Sequence, residues 1–173
     1  LDEYNKEPKK KKLKLVMFLD ACGHISRICR ILKQPQGNAL LLGVGGSGRQ
    51  SLARLATYIN NYDCYQIDVV KGYDMKDFAR NVKDCLKSAG INEKDQTFLI
   101  VDTQLIHGLM LEYINGILNT GDVPNLYAQQ ADKDDIINAV RAEVMNKYGN
   151  IMESNVMKVY LSRVLKHIHV VLA

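Results

Sequence analysis

Gly43-Val44-Gly45-Gly46-Ser47-Gly48-Arg49-Gln50-Ser51 is the stretch whose residue types could do chemistry. Glycines let a backbone curl until successive N–H groups point inward. Such donors, together with the positive end of a following helix, suit a phosphate chain. The pattern departs from the usual GxxxxGK[ST] at two places. Arg49 stands where a lysine is expected; it keeps the charge, but as a longer planar fork. Gln50 replaces the hydroxyl that would hold magnesium, and Ser51 offers a hydroxyl one residue later, turned by about 100° on a helix. Phe98-Leu99-Ile100-Val101-Asp102-Thr103 is an apolar run closed by an acid. Asp102 suits a magnesium-holding carboxylate. Thr103 follows it where a hydrolytic site needs a glutamate, and a hydroxyl is no base near pH 7. His107 and Glu112 lie further on and do not replace it. These residues imply a pocket that holds a nucleotide, ATP or ADP, with Asp102 and Ser51 as candidate magnesium ligands, and turns it over slowly or not at all.

Such a loop needs a strand before it and a helix after it. Ala39 to Val44 is a short apolar run, read as a strand buried on both faces. Leu52, Leu55, Ala56 and Ile59 give the helix that follows. Upstream, the apolar spacing from Leu13 to Leu32 predicts a helix stopped by Pro35 and Gly37, preceded by a polar lead-in over 1–12. Downstream, the pattern predicts a strand over Cys64–Val70 and a helix over Asp74–Ala89 ended by Gly90. It then predicts a strand over Thr97–Val101, helices near 107–119, 133–148 and 153–166, and a last strand over Ile168–Leu172. Alternating strands and helices imply an α/β fold: a parallel sheet covered on both faces.

Composition excludes other classes. The 47% of apolar residues can build a core. The net charge is +4, and residues 1–14 carry most of it, with six lysines against Asp2, Glu3 and Glu7. The remainder is almost neutral, which argues against a nucleic-acid partner. No apolar run reaches the ~20 residues of a membrane span, and no signal-peptide pattern follows Leu13–Leu19. Cys22, Cys29, Cys64 and Cys85 form no CxxC pair, so zinc has little support and reduced thiols are expected. His167 and His169 flank Ile168; a metal pair is conceivable, and two polar residues opening a buried strand is the simpler reading.

The run His24-Ile25-Ser26-Arg27-Ile28-Cys29-Arg30-Ile31-Leu32-Lys33-Gln34-Pro35, continuing through Gly37–Leu42 into GVGGSGRQSLARLA, resembles the heavy chain of axonemal dynein. Within that chain it resembles the fourth AAA+ module of the motor ring. FLIVDTQ at 98–104 and LNTGDVPNLY at 118–127 fit the same module in order and spacing. Agreement is weakest over 128–156.

The resemblance implies a P-loop NTPase (AAA+) large subdomain over 13–173, incomplete at its C-terminal end and without its helical lid. It implies a regulatory nucleotide site in a microtubule-based, minus-end-directed motor of cilia and flagella. Gly43, Gly46, Gly48, Arg49, Gln50 and Ser51 would form its phosphate loop, and Asp102 the acid of its second motif. Arg49-Gln50 is the pairing of axonemal forms. Implied partners are the neighbouring AAA+ modules, microtubules through the stalk, and dynein intermediate and light chains. The implied location is the cytoplasmic cytoskeleton, in the axoneme.

Two other readings stand beside it. An autonomous P-loop ATPase or kinase would need lid arginines, and 128–173 holds only Arg141 and Arg163; no guanine-selecting Asn-Lys-x-Asp occurs. A nucleotide-free ring module would keep the glycines for packing alone.

Overall fold

The computed structural model describes residues 1–8 and 10–173. Among them four parallel strands form one sheet: β1 (Ala39–Leu40), β2 (Asp63–Gln66), β3 (Gln96–Ile100) and β4 (Ile168–Leu172). Their order is β1-β4-β3-β2, so the chain leaves β1 at one edge and returns as β2 at the other. The helices are α1 (Asp2–Lys6), α2 (Leu19–Leu32), α3 (Arg49–Ile59), α4 (Met75–Asn92), α5 (Gly108–Thr120), α6 (Gln130–Tyr148) and α7 (Glu153–His167). This is the α/β class that the alternation of elements implies.

Strand parity divides the core. Phe98, Ile100, Ile168 and Val170 face the larger apolar cluster, built with α4 to α7. Leu99 and Val171 face the smaller one, built with α1, α2 and α3. All five residues of β3 are buried, as expected for a central strand covered on both faces. On the larger face, Tyr127 and Tyr160 join their buried hydroxyls at 2.8 Å. Lys83 and Lys87 of α4 hold Asp132 of α6 at 2.7 and 3.0 Å.

Several expectations are corrected. The helix begins at Leu19, not Leu13. Asn5 accepts from the Leu13 N–H and donates to its carbonyl, which fixes Leu13 outside any helical ladder. The side chain of Leu13 is buried, while Val16 and Phe18 are exposed. Within the lead-in, α1 forms over Asp2–Lys6, and its Tyr4 is buried edge-on against Tyr58. Lys9 of the lysine run lies outside the described residues, and Lys10 sits 4.2 Å from the Tyr58 ring centre. β1 is not buried on both faces. Among the described residues it pairs with β4 alone, and Leu40, Leu42 and Val44 are 64%, 82% and 79% exposed. β2 stops at Gln66, where its pairing with β3 ends. Gly90 does not end α4. It lies inside the helix because any Cβ there would overlap the Tyr160 ring and Val164.

His167 and His169 form no metal pair, and no cluster of His, Cys, Asp and Glu fit for a metal occurs among the described residues. His167 pairs with Asp95 at 2.6 Å through Nδ1. His169 directs its Nδ1 at the Gly37 carbonyl, 2.8 Å away, and stacks on Tyr62. No helix among the described residues is long and apolar enough to cross a membrane.

Candidate nucleotide-binding site

In a parallel α/β sheet, ligands bind beyond the carboxyl ends of the strands, where successive connections diverge. β1 supplies that edge here. The Leu41 N–H continues the ladder to Leu172, at 2.8 Å, before the chain turns away. The chain then curls: the Ser47 N–H donates back to the Val44 carbonyl at 3.2 Å. Gly46 and Gly48 take φ +80° and +81°, a left-handed conformation that side chains disfavour. Gly48 is the N-cap of α3 and has no side chain to cap it. The first N–H groups of that helix have no intrahelical acceptor and are free for an anion.

The structure thus brings Gly43 to Ser51 together as one turn between β1 and α3. Gly46, Ser47, Gly48, Arg49, Gln50 and Ser51 line a cavity of about 300 Å³ with Arg54 and Ala173. Val44 stands out at the loop's tip, and Gly43 packs close under Ser47. Arg49 folds inward. Its Nη1 donates to the Leu41 carbonyl at 3.2 Å, and its Nη2 lies 3.7 Å from Asp102 Oδ2. Asp102 follows β3, where its N–H donates to the Ala173 carbonyl at 3.1 Å. The other oxygen of Asp102 accepts the Thr103 N–H at 2.7 Å. Thr103 is exposed beside it. His107 is the N-cap of α5, and Glu112 lies exposed on that helix.

Three residues of the site escape the motif reading. Gln104 clamps the turn after β3: its Oε1 accepts the Val101 N–H at 2.8 Å and its amide donates to the Ile67 carbonyl. Arg54 and Gln66 pair across α3 and β2. The signal for Arg54 was available, since it follows Gln50 by one helical turn and must share its face. Gln66 carried none, because its position depends on where β2 ends.

The residues present do not fit the magnesium site that such a loop implies. Ser51 borders the cavity, but Asp102 is not among the residues lining it. Asp102 faces the Arg49 guanidinium instead. Gln50 offers an amide oxygen, and that atom is approached by the Gln66 amide at 3.5 Å.

A glycine turn between a parallel strand and a helix, beside an acid at a neighbouring strand's end, defines the P-loop NTPase class of α/β fold. Within it, the chain belongs to the family described as "P-loop containing dynein motor region D4", which matches residues 13–173. It is 45% identical over 172 residues to dynein axonemal heavy chain 1 of Rattus norvegicus. It is 42% identical over 175 residues to dynein axonemal heavy chain 6 of Homo sapiens. Over 174 residues it is 42% identical to the dynein beta chain, flagellar outer arm, of Chlamydomonas reinhardtii. Each match covers 99% of this chain, and the chain spans 4% of the length of each relative.

Proposed function

We propose that the chain is a nucleotide-binding regulatory module, the fourth AAA+ module of an axonemal dynein heavy chain, that holds ATP or ADP with little or no hydrolysis. The open helix start at Gly48–Ser51 is the observation that carries the binding half of this reading. Residues 43–51 form the cradle, with Arg49 as its cation. Thr103 carries the other half, because no carboxylate follows Asp102 to orient or deprotonate an attacking water. In this reading the module works in a microtubule-based motor of the ciliary or flagellar axoneme. Its partners are the neighbouring AAA+ modules, the microtubule through the stalk, and dynein intermediate and light chains.

The decisive variant is Thr103→Glu combined with Gln50→Thr. Raised phosphate release would show that the cradle is sound and that chemistry alone was missing. No gain would place a further defect elsewhere. One observation favours the nucleotide-free ring module: the Arg49 guanidinium is already engaged by Leu41 and Asp102. Equilibrium dialysis with labelled ATP separates the two, since a spacer retains none.

A further inference from the structure

Arg54 is the unexplained cation of this pocket. It lies one turn beyond Gln50 on α3, and both border the cavity. Gln66, at the end of β2, accepts from Arg54 Nε at 3.0 Å and again from Nη2 through the same oxygen. Its amide in turn approaches Gln50 Oε1 at 3.5 Å. Among the described residues Arg54 makes no ion pair with a carboxylate, its side-chain partner being the neutral Gln66. A guanidinium has five donors, and those left over from Gln66 are available to phosphate oxygens.

Arg49, Arg54 and the positive end of α3 border the cavity, and none of the residues lining it is a carboxylate. A divalent cation entering there meets like charges within a few ångströms, and the nearby acid, Asp102, already faces the Arg49 guanidinium. Gln50 directs its oxygen toward a donor rather than outward.

We propose that this pocket takes the polyphosphate of its nucleotide without a divalent cation, and that Arg54, oriented by Gln66, supplies the charge a metal supplies in other P-loop sites. The inference rests on the nucleotide-binding reading and adds how the bound anion is neutralised. Arg49 and the loop N–H groups grip one side of the phosphate chain, and Arg54 the other.

The test is calorimetric titration of ADP and ATP into the full chain, once with excess magnesium and once with EDTA. The expected result is binding in both, with affinities within about threefold. Binding that is tighter by about tenfold or more with magnesium would overturn the inference and leave the nucleotide-binding reading intact. Binding in neither condition would overturn both. Arg54→Gln should weaken binding in EDTA by about tenfold or more, as for loss of a charged hydrogen bond. Arg54→Lys, which keeps the charge, should hold most of it. Equal binding by Arg54→Gln would contradict the role given to Arg54. Circular dichroism checks that each variant folds; should Arg54→Gln unfold, the unmodified chain's magnesium-to-EDTA ratio and Arg54→Lys still decide the matter.

Discussion

Two helices start beyond the carboxyl ends of the two outer strands, and they start differently. At α4, Asp74 accepts from the N–H groups of Lys76 and Asp77 at 2.8 and 3.0 Å, and Asp77 reaches back to the Asp74 N–H. That helix end is closed by its own carboxylates. At α3 the cap is Gly48, which offers no oxygen, and the residues around it are Arg49, Gln50 and Ser51. Both turns follow a parallel strand. The difference shows how one sequence can spend the same backbone donors in two ways: an Asp satisfies them permanently, whereas a Gly holds them open for an anion from outside.

The comparison breaks most severely if the sheet beneath both turns is lost. Phe98 is fully buried on β3 and meets Tyr65 edge-on. Phe98→Ala should destabilise the fold by about 3–5 kcal/mol, read as a lowered urea midpoint, and abolish both turns together. A direct exchange of the two designs is the next largest. Gly48→Asp places at α3 the kind of acid that closes α4. It should weaken nucleotide binding by about 2 kcal/mol, roughly thirtyfold, measured by titration, while the helix itself persists.

Acid should separate the two turns. The segment leading into β1 is tied down by His169 on the Gly37 carbonyl and by the Val170 N–H on Asn38 Oδ1 at 2.7 Å. Burial pushes the His169 pKa below its ordinary value, outweighing the Gly37 carbonyl and Asp95, which act the other way. The unfolded state therefore binds the proton more readily, and stability falls as pH drops below about 6.5. His169→Gln should flatten the stability curve in that window. The cap of α4 answers at lower pH. The Asp77 and Lys76 N–H groups hold the Asp74 carboxyl below the usual range, so its contribution is complete above about pH 4 and fades beneath. The smallest effect is that of Asp74→Ala: a slight fall in melting temperature at neutral pH, vanishing in acid, with nucleotide affinity unchanged.

The strands and the site differed in how far the sequence disclosed them. β4 emerged at Ile168–Leu172 as read, and β3 within a residue, because each is a continuous apolar run with breakers beside it. The loop at 43–51 declared itself by composition. What stayed hidden depends on partners distant in sequence. Leu13 looks helical by spacing, yet Asn5 takes its backbone groups. Gly90 looks like a stop, yet it is there to admit the Tyr160 ring. Ala39–Val44 looks doubly buried, yet Leu40, Leu42 and Val44 are exposed at the sheet's edge. Arg54 could be placed by its helical spacing from Gln50, whereas Gln66 carries no motif, and only the alignment of α3 beside β2 brings it to Arg54.

The central claim is a cradle that grips a nucleotide and lacks the base to cut it. The full chain should be mixed with a stoichiometric amount of ATP labelled on its γ-phosphate, then filtered, with retained nucleotide and free phosphate counted over time. The expected result is label retained as intact ATP, with free phosphate no faster than in buffer. Label that passes straight through would contradict the grip, and phosphate released at a rate proportional to the chain would contradict the missing base.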